Sequence, residues 1–219
     1  MLDIDAWMGQ YRQTVIEAFG TRVRFIGLQG SRSRGEATER SDIDAVLVLD
    51  QVGMEDLERY RALLDGLPHR ERACGFVSGQ AELAAWDPAD RYMLYRDTLP
   101  VFGDLQDLVP PPTREEAAAA ALTGACAIHH MVTHNYLHGR REQVLRGAFK
   151  TAAFVLRAKV EAEQGVYART LKELKQRTDG LDAQVLRHRD EVTDLQKGTE
   201  LLLAWTRGII LMFGQRGSQ

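Results

Sequence analysis

The sequence predicts an α+β fold, a sheet domain followed by a bundle of helices, and three observations predict it. Strand-like and helical apolar patterns alternate through the first half, and only helical patterns follow. All six prolines precede residue 113, and all five lysines follow residue 149. Formal charge divides the same way: −7 over the first 110 residues and +4 over the remainder of a 219-residue chain whose total is −3. The boundary falls at VPPPTREE (Val109–Glu116), where three prolines end one region and Thr113, with Glu116 at the capping-box position, begins a helix. The expected domains are therefore residues 1–110 and 111–219.

In the first region, Trp7, Tyr11, Val15 and Phe19 recur at i, i+4 and make an amphipathic helix. RVRFIGLQ (Arg22–Gln29) is a strand candidate, and SDIDAVLVLD (Ser41–Asp50) is a second, almost unbroken in apolar residues after Asp44. Met54–Leu67 reads as a helix with Leu57, Tyr60, Leu64 and Leu67 on one side. ERACGFVSG (Glu71–Gly79) is the third strand candidate, followed by a short helix near Ala81–Trp86 and a last short strand near Leu99–Phe102. The second region reads as helices over Thr113–His138, Arg140–Gln164, Thr170–Arg177, Leu181–Asp194 and Lys197–Gln215, with Gly139, Gly165 and Gly180 as stops. Stripes such as Leu145, Phe149, Ala152 and Leu156 suit an all-α bundle.

Composition excludes several classes. No apolar stretch approaches the roughly 20 residues a membrane span needs. The first 20 residues carry Asp3, Asp5, Arg12 and Glu17 in place of an apolar signal core. Two cysteines without a CxxC suit a reducing, cytoplasmic setting and argue against a structural zinc site. Neither half has the strongly basic balance of a nucleic-acid binder.

The chemistry concentrates in GSRSRGEATERSDID, residues 30–44. Gly30 and Ser31 end a strand and open a turn whose backbone N–H groups can cup an anion. Asp42 and Asp44 sit two apart on a strand, so both side chains emerge on one face. Two carboxylates so placed repel unless a cation lies between them, and a hard divalent ion such as Mg²⁺ is commonly held by one or two carboxylates and phosphate oxygens. A phosphate cup beside such a pair is equipment for phosphoryl or nucleotidyl transfer.

Gly30-Ser31, ten intervening residues, then Asp42-Ile43-Asp44 followed by Val46-Leu47-Val48 resembles the Gly-Ser/Asp-x-Asp signature of the DNA polymerase beta-like nucleotidyltransferase superfamily. It is most similar to the small bacterial branch of minimal and antibiotic nucleotidyltransferases. The resemblance implies a polymerase-beta-like sheet domain followed by a helical bundle. It implies that Gly30 and Ser31 contact the triphosphate of ATP or another NTP, that Asp42 and Asp44 bind Mg²⁺, and that Arg34, with Arg32 as a second candidate, meets phosphate oxygens. The implied reaction moves a nucleoside monophosphate, most often AMP, onto an acceptor hydroxyl and releases pyrophosphate. The family also uses a third carboxylate, usually on the next core strand. There the sequence departs, offering only Glu71 at the strand's start, with Glu82 just past it and Asp97 further on; Glu71 is the expected third acid.

Lys150, with Arg146 and Arg157, forms a basic stretch expected either to be a solvated face or to reach nucleotide phosphates. His130, His134 and His138 follow at i, i+4, i+8 and cannot all reach one ion from a straight helix, so no metal site is expected there. A bundle of about a hundred residues suits a small hydroxylated acceptor, an antibiotic among the candidates. The alternatives are a protein-adenylylating regulator of the antitoxin type and an inactive nucleotide-binding module. Apolar stretches such as Leu201–Phe213 offer a surface for a homodimer.

Overall fold

The computed structural model of the chain describes residues 2–189 and 194–215. It resolves into two compact units. A sheet unit comprises the residues up to Asp87 together with Leu94–Pro111, and a helical unit comprises Pro88–Met93 and the chain from Pro112 onward. Among the described residues no helix is long and apolar enough to cross a membrane.

The sheet unit begins with α1 (Ile4–Phe19), N-capped by the Asp3 carboxylate, which accepts from the Ala6 N–H at 3.0 Å. Four strands follow: β1 (Val23–Gln29), β2 (Ile43–Leu49), β3 (Ala73–Gly79) and β4 (Leu99–Phe102). Between them lie a four-residue helical turn α2 (Gly30–Ser33), α3 (Met54–Asp65), α4 (Gln80–Ala85) and α5 (Pro88–Asp97). The sheet order is β3-β2-β1-β4; β1 runs antiparallel to both neighbours and β3 runs parallel to β2.

The near-continuous apolar run of β2 is explained by burial on both faces. Ile43, Ala45, Leu47 and Leu49 face a core with Trp7, Tyr11, Val15 and Phe19 of α1 and Tyr60 and Leu63 of α3. Val46 and Val48 face a second core with Phe25, Leu83, Leu94, Leu105 and Val109. On α3 the buried stripe differs from the expected one: Leu63 is buried, whereas Leu57 is 41 % exposed.

Arg22 fastens the start of β1 to the loop before α3. Its guanidinium donates to Asp50 at 3.0 Å, to both carboxylate oxygens of Asp56 at 2.6 and 3.0 Å, and to Gln51 O at 3.0 Å. Arg22, and after it the Gly53 N–H, hold Asp56 down to about 2. A depressed folded pKa gives stability that is present above the ordinary carboxylate range and is lost as pH falls towards 2. In Arg22→Ala the loss begins sooner, and acid unfolding followed by circular dichroism moves to higher pH.

In the helical unit, α6 (Arg114–His134), α7 (Glu142–Gln164), α8 (Leu171–Gln176), α9 (Gly180–His188) and α10 (Leu195–Gly214) enclose one apolar core that includes Ile128, Phe149, Leu156, Leu202 and Trp205. The expected capping box of Thr113 and Glu116 is present. The helix expected to reach His138 ends as α-helix at His134 and continues as a π-helical turn over Asn135–Gly139. Gly180 opens α9 instead of ending its predecessor, and the expected stretch to Asp194 includes residues 190–193, outside the described ones. The helix Pro88–Asp97 was not expected at all; Ala89 and Tyr92 belong to the helical unit's core and Leu94 to the sheet unit's.

Candidate active site

Strand period and register build the site. Asp42 immediately precedes β2 and Asp44 lies within it, on the face that carries Val46 and Val48. Asp44 pairs in register with Gln29 on β1 and with Cys74 on β3. Gln29 hands directly to Gly30, so the Gly30–Ser33 turn opens beside Asp44. Gly30 adopts φ +76°, the left-handed region, and a Cβ there would run into Asp44 Oδ2. Glycine is thus required by backbone conformation and by the carboxylate against which the turn lies.

Asp42 is exposed and Asp44 half-buried. Burial pushes the Asp44 carboxyl above its ordinary range, and the charges of Asp42 and Asp97 add to the shift; Arg34 and Arg32 oppose it. Among the described residues, neither the Asp42 nor the Asp44 side chain makes a hydrogen bond or ion pair. An acidic pair of this kind, crowded by negative charge, fits a hard cation, and two carboxylates suffice for Mg²⁺, which keeps waters and takes phosphate oxygens. Among the described residues no group of three or more His, Cys, Asp or Glu is arranged to hold a metal by itself.

Both arginines of the turn are engaged with protein. Arg32 donates from Nε to Asp42 O at 2.9 Å and from Nη2 to Ser41 O at 2.6 Å. The Arg34 side chain, 6 % exposed, reaches Asp97 at 2.5 and 2.6 Å and Glu36 at 3.0 Å. Burial disfavours its charge, and the Asp97 and Glu36 contacts outweigh that, leaving its pKa raised.

Glu71 lies in a 3₁₀ turn (Arg70–Arg72) before β3, at the β3 end that adjoins Ile43, with its side chain 69 % exposed and near His69 and Arg72. No residue of β3 itself is acidic, and the position beside Asp44 is Cys74, an exposed free thiol. The buried acid of the neighbourhood is Asp97, 2 % exposed, at the end of the unexpected α5. Seen on this helix, its place in the last turn is one where the helix dipole disfavours an acid, which the Arg34 guanidinium offsets.

Lys150 is exposed on α7, in the helical unit. Arg157, expected in the same basic stretch, is 1 % exposed and donates to the carbonyls of Ala168 and Arg169 at 3.2 Å, so it belongs to the core and not to a solvated or phosphate-facing surface. His130, His134 and His138 are exposed, with the last two ring centroids 4.8 Å apart.

No curated protein is matched in sequence. The chain is similar in fold to spectinomycin adenyltransferase AAD(9) from Enterococcus faecialis, a structure solved with ATP and spectinomycin. The TM-score is 0.56 and the identity 11 %, over 94 % of this chain and 98 % of that one. Residues 9–73, which run from α1 through the glycine turn and the aspartate pair to the start of β3, match the nucleotidyltransferase domain family. The sheet unit therefore contains a segment similar to the nucleotidyltransferase domain family, and the chain has an α+β fold with a helical bundle.

Proposed function

We propose that the protein transfers a nucleoside monophosphate, AMP from ATP in the first instance, to a hydroxyl of a small-molecule acceptor. The observation that carries this reading is the uncommitted Asp44 carboxylate directly beside the Gly30–Ser31 turn, with the charge of Asp42, just before the strand, acting on it. The turn would receive the triphosphate, since Gly30 permits close approach and Ser31 offers a hydroxyl. Asp42 and Asp44 would hold Mg²⁺, which when bound offsets phosphate charge and polarises the transferring group. The acceptor oxygen bonds to the α-phosphorus, the bond to the β-phosphate oxygen breaks, and pyrophosphate leaves. The acceptor proton passes to solvent or to an acid at the site's edge, for which Glu71 remains the candidate nearest the β3 end. A small acceptor is supported by the likeness in fold to an enzyme solved with an antibiotic.

The test is incubation of the purified chain with Mg²⁺ and each α-labelled NTP, against aminoglycosides, lincosamides and cell extract. A labelled small product with stoichiometric pyrophosphate supports the reading. Label on protein alone assigns a regulator. Nucleotide binding without any product assigns an inactive module.

A further inference from the structure

Asp97 stands 63 residues from Arg34 in sequence, yet it organises the turn around Gly30. Its carboxylate accepts from the Gly30 N–H at 3.2 Å and from Arg34 Nη1 at 2.5 and 2.6 Å. Its backbone carbonyl lies 2.9 Å from Ser33 Oγ, which is also 2.9 Å from Gly30 O. Arg34 in turn reaches Glu36, whose N–H donates to Ser31 O at 2.9 Å. Gly30, Ser33 and Arg34 are thus tied directly to a single buried acid, Glu36 to it through Arg34, and Ser31 through Glu36. The ionic partners are nearly sealed from solvent, with side chains 6 % and 3 % exposed. Removing one member of such a pair leaves the other charged and unpaired, so the two act as one unit.

The geometry points to Asp97 as a positioning residue for nucleotide binding. It clamps the Gly30–Ser33 turn against Asp44, and Arg34 serves that clamp instead of meeting phosphate oxygens itself. This rests on the nucleotidyl-transfer reading above and deepens it. The Gly30 N–H is spent on Asp97, so the amides left to meet a phosphate are those further along the turn, held at a fixed place by the brace. A preformed turn binds a triphosphate without an ordering penalty. It has no reason to affect a ligand that lacks the phosphates.

Two readouts test this on the full chain. Hydrogen exchange of peptides covering residues 30–36 reads the brace with no nucleotide present. Affinities for ATP–Mg²⁺ and for adenosine, measured in parallel, read its purpose. In Asp97→Asn and Arg34→Gln, exchange in 30–36 accelerates and ATP affinity falls about ten- to a hundred-fold, while adenosine affinity stays within about twofold. The double variant falls no further than the worse single one, because both remove the same unit. Arg34→Gln serves alone if Asp97→Asn fails to fold. If wild type binds ATP and either folded variant binds it equally well, or if the two losses add, the clamp is wrong and the nucleotidyl-transfer reading stands. If wild type binds no NTP, that reading falls and the role given to the clamp falls with it.

Discussion

Asp44→Asn reduces nucleotidyl transfer by about 10³-fold or more, roughly 4 kcal/mol of transition-state stabilisation, while the variant melts no lower than wild type. The two halves of this result come from the same environment. Asp44 is half-buried, crowded by Asp42 and Asp97, and its carboxyl is raised above the ordinary range. A raised folded pKa means that the ionised side chain weakens the fold: its contribution is favourable below the ordinary carboxylate range and is lost as pH rises through the raised value. At neutral pH the neutral amide removes that repulsion. An amide is a poor ligand for a hard divalent ion, and the turn beside it loses its charged neighbour, so transfer fails for a reason unrelated to folding. The check is a transfer assay beside a thermal melt without added metal. Lost activity with an unchanged or raised Tm is the expected outcome; a lowered Tm would mean that the carboxylate is structural.

Gly30→Ala should be the second most damaging change, and Gly35 provides its control. Both glycines are left-handed, with φ of +76° and +70°. An L-residue in that conformation costs about 1–2 kcal/mol in either place, which lowers Tm by about 2–8 °C in a chain of this size. Their surroundings differ: a Cβ at Gly35 meets nothing within 4 Å, whereas at Gly30 it collides with the Asp44 carboxylate. Gly35→Ala should therefore lose only the backbone cost in stability, Gly30→Ala at least as much, and only Gly30→Ala should lose transfer, by about a hundred-fold or more. Equal losses of activity would show that backbone strain alone, not the approach of turn to carboxylate, governs the site.

The legible parts of the fold were those whose burial leaves a regular pattern, a single stripe on a helix or an unbroken apolar run on a strand buried on both faces. α1, β1, β2 and α7 present a single stripe or an unbroken apolar run, and the pattern found them to within two residues. The helix Pro88–Asp97 escaped because its apolar residues divide between two cores: Ala89 and Tyr92 pack in one and Leu94 in the other. Missing that helix concealed Asp97. The aspartate pair and its glycine turn could be read because their chemistry is written in consecutive residues. The partner of Arg34 lies 63 positions away, and a long-range ion pair leaves no periodic trace in a sequence. Glu71 looked like a strand residue for the complementary reason: a 3₁₀ turn delays the start of β3 to Ala73, and local pattern does not resolve such an offset.

The two hydrogen bonds from Arg32 to the carbonyls of Ser41 and Asp42 pin the far end of the segment that begins at Gly30. With Glu36 held to Ser31 at the near end, residues 37–40 form an exposed excursion whose two feet are anchored independently. Once such a surface loop is long enough to be flexible, each doubling of its length costs only about 0.6 kcal/mol of closure entropy. Its length is therefore free to drift between related chains, and the ten-residue gap in the motif is a poor yardstick of kinship: the two anchored feet, not the distance along the chain between them, are what descent would preserve.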